Sequence, residues 1–235
     1  MSKEKVPKPA DSAHAISSAI AIQRPTCPAC LRPQSACICQ WVTPIAHPVR
    51  VLILQHLLEV HNPKGSARLL HLSLPGSRLA IGETFDDLPA LLTQPRAGEN
   101  LAARPRLSVL LYPQTPQDKP QEARQLNTVP EVTAPGYQDW HDPAQLQLVV
   151  LDGTWRKSRK MLHCNPQLLQ LPRLTLKDMP ASRYLIRKAH QADQLSTLEA
   201  TCAALAQMHG GSEQFTPLLA AFDGFVAQQL RNRSR

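Results

Sequence analysis

"LQLVVLDGTWRKSRKML", residues 146–162, changes character at Asp152. The residues before it are Leu and Val apart from Gln147, a short run apolar on both faces, which is the pattern of a buried parallel strand. After it, Gly153 lets the backbone turn, Thr154 offers an oxygen to cap a helix, and Trp155 opens that helix. Asp152 therefore stands at the carboxyl end of a strand, where open α/β sheets place their ligands. Capping alone accounts for Asp152 and Thr154 but not for Trp155, whose ring is placed to pack on a flat ligand or into the core.

Working outward, similar runs recur at "VRVLILQH" (49–56), "SRLAIG" (77–82), "LSVLLYP" (107–113) and "LPRLTL" (171–176), separated by amphipathic or polar stretches. The spacing predicts an α/β fold, a mostly parallel sheet with helices on both faces. "LSTLEATCAALAQMHGG" (195–211) reads as a capped helix, with Ser196 and Glu199 three apart at its start and a Gly pair at its stop. A second amphipathic helix is expected over roughly 215–231, and no internal repeat is visible. Residues 1–24, mixed Lys, Pro, Ser and Ala, are expected to form a disordered tail. The division is then a cysteine-rich segment at 25–42 and an α/β domain at 43–235. Within the latter, the Pro- and Gln-rich passage 114–143 is too long for an ordinary connection and reads as a lid or a surface insertion.

The charge pattern points to a partner. With 26 Lys+Arg against 18 Asp+Glu the net charge is +8, which favours a polyanion such as nucleic acid, although solvated faces also carry such charge. Aromatic residues are only 4%, which argues against a base-stacking sheet. The helix after Asp152 carries Arg156, Lys157, Arg159 and Lys160, whose like charges repel unless they face an anion or water. "SRYLIRKAH" (182–190) adds Arg183, Tyr184, Arg187 and Lys188. "QHLLEVHNPKGSARLL" (55–70) joins a strand end to a helix through His56, Glu59, Lys64 and Ser66, polar residues concentrated as in a binding loop.

"CPACLRPQSACIC" sets Cys27, Cys30, Cys37 and Cys39 in a pattern that can converge tetrahedrally on Zn²⁺. Disulfides are the alternative, although a chain without a secretion signal keeps its thiols reduced. A closed four-thiolate site leaves no open position for catalysis, so the metal is read as structural. The longest early apolar stretch, "SAHAISSAIAI" (12–22), is too short and too polar for a membrane span or signal, so a cytoplasmic protein with no membrane association is expected. No motif requires an obligatory protein partner.

The four-cysteine opening, "LILQHLLE" followed by "ARLL", "LDGTWRKSRKML", "RYLIRK" and "LSTLEA" occur in an order that resembles the DTW-domain family, named for Asp152, Thr154 and Trp155. The resemblance covers Cys27 to about Met208; the departure is Leu57, where the family has Pro after the His. It implies a SPOUT-like fold with a C-terminal knot, and the activity of the bacterial members. These are tRNA-uridine aminocarboxypropyltransferases, which move the 3-amino-3-carboxypropyl group of S-adenosylmethionine to N3 of a tRNA uridine and release methylthioadenosine. The absence of a Gly-x-Gly-x-x-Gly turn after the first strand agrees with cofactor binding by loops. On this reading Asp152 is the candidate general base for the N3 proton, with Thr154 and Trp155 beside it. Leu111, Tyr112, Pro113 and Leu151 at strand ends, with Arg187, Ser196 and Thr197 for the cofactor carboxylate, are the candidate cofactor contacts. The arginines, lysines and binding-loop residues named above, together with Tyr184, are the candidate tRNA contacts. Methyl transfer by the same fold, or RNA binding without catalysis, are the other readings.

Overall fold

In the computed structural model, residues 25–94, 106–113, 142–176, 182 and 195–233 are described. Residues 1–24 and nearly all of the 114–143 passage lie outside them, as do Arg183, Tyr184, Arg187 and Lys188.

The apolar runs form a five-stranded, entirely parallel sheet: β1 (Arg50–Gln55), β2 (Arg78–Ile81), β3 (Leu107–Leu111), β4 (Leu146–Asp152) and β5 (Arg173–Leu174), in the order β2-β1-β4-β3-β5. β4 is central, paired with β1 from Gln147 to Asp152 and with β3 from Leu146 to Val150. Alternate residues of the strands serve two cores. On one face, Val51, Ile53, Leu148 and Val150 pack with α1 (Ala67–Ser73), α4 (Thr197–His209) and α5 (Thr216–Arg233). On the other, Leu52, Leu54 and Val149 pack with α2 (Leu88–Thr93) and α3 (Trp155–Cys164). Helices on both faces are thus observed, as the strand pattern predicts.

Two strands differ from the runs expected of them, β2 in burial and β5 in length. β2 is an edge strand with Arg78 and Ile81 exposed. β5 is only two residues long, because Pro172 lacks an N–H to extend the ladder; it still accepts from the Leu110 N–H at 2.9 Å.

Local chemistry sets the helix ends. Thr154 caps α3 by accepting from the Lys157 N–H, and Ser158, Met161 and Leu162 form its buried stripe. α4 begins with a full Ser196/Glu199 capping box and stops at Gly210, at φ 80°, where a residue without Cβ is favoured. In α5, Leu218, Phe222, Phe225 and Val226 share one face, all buried.

The cysteine segment is packed into the first core, with Cys27, Cys30, Ile38 and Ile45 beside Phe222 and Phe225. Trp41 donates from its indole nitrogen to Gln228 Oε1 at 2.6 Å, and Gln228 Nε2 donates to the Cys37 carbonyl at 3.0 Å. Among the described residues, no helix is long and apolar enough to cross a membrane.

Gly224 of α5 tests that packing. A Cβ there would fall 2.2 Å from the Trp41 ring. Gly→Ala inside a helix ordinarily stabilises by up to about 1 kcal/mol. Here Gly224→Ala is expected to destabilise by about 1–3 kcal/mol, measured by chemical denaturation, because the ring must move.

Candidate functional site

The strand ends bring the site together. Register pairs Gln55 with Asp152, the last residues of β1 and β4. Both have the parity of the face covered by α4, and the start of that helix meets them there. Gln55 Nε2 donates to Asp152 Oδ2 at 2.8 Å and Thr197 Oγ1 donates to Asp152 Oδ1 at 2.6 Å. The His56 N–H donates to the Asp152 carbonyl at 3.0 Å. Asp152 is only 5% exposed, so the charge predicted at the strand end is held under the surface by two side-chain donors. Leaving such a group with one donor fewer costs about 1–3 kcal/mol.

α3 runs away from this point with its cations sorted. Lys157 Nζ donates to Glu59 Oε1 at 2.7 Å, and Asn62 Nδ2 donates to Glu59 Oε2 at 2.6 Å. Lys160 Nζ lies 2.9 Å from Glu83 Oε1. Arg156 and Arg159 are exposed. The repulsion expected along this helix is therefore relieved in part by two acidic residues of the loops after β1 and β2. The Lys160 ammonium and the His56 ring beside Glu83 hold its carboxyl below the usual range, and Glu83 in turn raises Lys160.

The loop after β1 is built from within. His56 Nδ1 accepts from the Leu58 N–H at 3.1 Å, which leaves Nε2 to donate to Glu83 Oε2 at 2.9 Å. Leu57 opens a 3-10 turn over Leu57–Glu59 and is exposed with Leu58. Ser66 is buried, and its hydroxyl accepts from the Leu198 N–H of α4 at 3.3 Å. Of the candidate nucleic-acid contacts here, His56, Glu59 and Ser66 lie beneath the surface and shape the loop, while Lys64 is half-buried.

The candidate cofactor contacts divide similarly. Leu111, Tyr112, Pro113 and Leu151 gather at the carboxyl ends of β3 and β4. Trp155 is 49% exposed and meets Tyr112 edge-on with ring centroids 5.2 Å apart. Arg173 lies over the other ring at 5.2 Å and donates to the Pro113 carbonyl at 2.9 Å. At the start of α4 the side chains are already engaged. Ser196 caps the Glu199 N–H, and Thr197 holds Asp152.

Cys27, Cys30, Cys37 and Cys39 place their sulfurs within 4.8 Å of one another. The Cys27–Cys39 and Cys30–Cys37 separations are 3.6 and 3.8 Å. Tetrahedral thiolates about 2.3 Å from zinc stand about 3.8 Å apart, so the set fits one metal ion and the sulfurs are too far apart for disulfides. Hydrogen bonds from the Cys30 and Ala29 backbones hold the Cys27 thiol down to about 6. Burial pushes Cys39 up to about 12.

Gln55, Glu83, Arg173 and Asn165 were not among the candidates read from the sequence. Gln55 and Glu83 carry a signal in hindsight: each is a polar residue at or just beyond the end of an apolar run. Asn165 carries none. Its buried amide donates to the Glu83 and Met161 carbonyls while its oxygen accepts from the Phe85 N–H, contacts set by folding alone.

A parallel α/β sheet with a buried strand-end carboxylate, a cationic helix beside it and four clustered thiols that could hold a metal ion defines the class. Residues 24–230 match the DTW domain, and the chain belongs to that family. It is 27% identical over 218 residues to tRNA-uridine aminocarboxypropyltransferase 2 of Macaca fascicularis, covering 89% of this chain and 65% of that protein. The protein of the same name from Mus musculus is 30% identical over 191 residues, 78% of this chain and 56% of the relative. That of Drosophila melanogaster is 26% identical over 223 residues, 89% and 77%. The match thus spans less than two thirds of either mammalian relative. No solved structure matches.

The Glu83 cluster gives a pH test. A carboxyl held low in the folded state contributes stability above its unfolded pKa of about 4.3 and loses it as pH falls through the folded value. Glu83→Gln should therefore be less stable than the parent at pH 7, and the difference in urea midpoint should close as the pH falls below the ordinary carboxylate range.

Proposed function

We propose that the protein transfers the 3-amino-3-carboxypropyl group of S-adenosylmethionine to N3 of a tRNA uridine, releasing methylthioadenosine. Membership of the DTW family and the names of its relatives support this reading. The observation that carries it is Asp152, held at the end of β4 by Gln55 and Thr197, with exposed Trp155 and the exposed guanidinium-bearing residues Arg156 and Arg159 following directly on α3.

In the transfer a bond forms between uridine N3 and the γ carbon of the aminocarboxypropyl group, the bond from that carbon to sulfur breaks, and the N3 proton leaves. S-adenosylmethionine supplies a carbon already activated by the sulfonium. The chain must hold the base and take or share its proton. Asp152 accepts the N3–H hydrogen bond. A carboxylate is a weak base for so weak an acid as the uridine N3–H, so cations near the uracil oxygens must bear part of the developing charge. Trp155, braced by Tyr112, offers a face for the base or the adenine. Arg187 is retained as a partner for the cofactor carboxylate. Ser196 and Thr197 instead shape the wall, since their hydroxyls are taken up by Glu199 and Asp152.

The knotted, SPOUT-like relation belongs to the same proposal. An all-parallel sheet with β4 inserted between β1 and β3, and a chain that returns from β5 to meet β4 at Thr197, supports it. The passage that would form the knot lies outside the described residues. Zinc is the proposed ion of the thiol set, closed by four sulfurs and structural; reduced thiols suit a cytoplasmic setting.

The direct test incubates the protein with unmodified tRNA and S-adenosylmethionine and identifies products by mass spectrometry. Methylthioadenosine with an aminocarboxypropyl uridine is expected, and Asp152→Asn should lower kcat by about 10²–10⁴. S-adenosylhomocysteine with a methylated base, or binding with no product, would overturn the assignment. Sorting of the helix cations gives a second test. Arg156→Ala and Arg159→Ala should each weaken tRNA binding and reduce the slope of log affinity against log salt by about 1, whereas Lys157→Ala should leave the slope nearly unchanged.

A further inference from the structure

The cysteine knuckle lies on the side of the molecule occupied by α5, yet one of its residues reaches the loop after β1. Arg32, between Cys30 and Cys37, donates from Nη1 to the Pro63 carbonyl at 2.6 Å and from Nη2 to the Gly65 carbonyl at 2.8 Å. Its guanidinium carbon stands 5.2 Å from the centroid of the Phe225 ring. The backbone that presents it is tied at both ends to a thiol residue: the Cys27 N–H donates to the Arg32 carbonyl at 2.8 Å, and the Leu31 N–H to the Cys27 carbonyl at 2.9 Å. Leu31 itself is at φ 58°, a conformation that a β-carbon disfavours and that the surrounding turn must hold in place.

We propose that Arg32 is a positioning residue that couples the metal knuckle to the strand-end site, an inference that rests on the functional reading of that site. The path is continuous. The knuckle fixes Arg32, and Arg32 clamps the carbonyls of Pro63 and Gly65. Ser66, the next residue, accepts from the Leu198 N–H at the first turn of α4, and the adjacent Thr197 donates to Asp152. A guanidinium presents Nη1 and Nη2 in a fixed fork that serves two carbonyls at once while its carbon stands over a ring, which the single charge centre of a lysine does not reproduce. A metal ion held by the four thiols would thus act on the site without touching it, through the geometry of the Arg32 side chain. Its removal would loosen the Pro63–Ser66 turn as well as the knuckle.

The test compares wild type, Arg32→Lys and Arg32→Ala, all as the full chain loaded with zinc, with metal content confirmed by colorimetric release. Hydrogen–deuterium exchange of the Lys64–Ala67 and Leu198 amides is read against that of the α5 amides around Phe225. Loss of a charge-assisted pair of hydrogen bonds should speed exchange at Lys64–Ala67 by about tenfold or more in both variants, with metal retained. The KM for tRNA should rise by about tenfold while kcat changes less. Stripping zinc from wild type with a chelator should speed the same amides. Unchanged exchange at Lys64–Ala67, a change confined to α5, or full rescue by Arg32→Lys would overturn the proposal. If chelation unfolds the chain, the zinc-loaded Arg32 variants decide. The exchange result does not depend on turnover. Should wild type transfer nothing to tRNA, the functional reading fails by itself and the coupling is still judged.

Discussion

A strand buried on both faces can carry a charge only where it leaves the sheet, and β4 does so at Asp152. Burying that carboxylate is tolerable because Gln55 and Thr197 each give it a hydrogen bond. Those donors come from a neighbouring strand and from a helix that follows much later in the chain, so the position of α4 and the register of β1 against β4 are both tied to this one group. A shift of β1 by one residue would turn Gln55 away from Asp152 and exchange the residues that β1 gives to the two cores.

Around that point the charges are arranged as a division of labour. Glu59 and Glu83, on the loops that leave β1 and β2, each engage a lysine of α3. The pairs draw the helix onto the strand ends and leave Arg156 and Arg159 on the outside. Net positive charge in the composition is thus converted into a local, directed surface. The Lys160–Glu83 pair, partly exposed, contributes little to global stability. The importance of the two pairs is geometric, since they set where α3 begins relative to Asp152.

The knuckle and the C-terminal helix form a second frame behind the sheet. Trp41 and Gln228 lock them together, and Gly224 leaves room for the indole ring. Because Cys27 and Cys30 share a core with Phe222 and Phe225, the thiol set is part of the domain's packing. That integration allows Arg32 to reach across to the loop after β1.

The sequence by itself determined the strands, the capped starts of α3 and α4, the thiol set and the placement of Asp152. Each of these rests on local information: periodicity, a short oxygen-bearing side chain before a helix, cysteines close in the chain. It also carried the family, through motifs in order. Only the tertiary structure decided which polar residues are buried and what they touch. His56, Glu59 and Ser66 look like surface ligands in a polar loop, yet each is turned inward to a partner distant in sequence. Gln55, Glu83 and Asn165 gain their roles from strand register and from the approach of α3 to the ends of β1 and β2. Such contacts span many residues and depend on packing, so no window of sequence contains them.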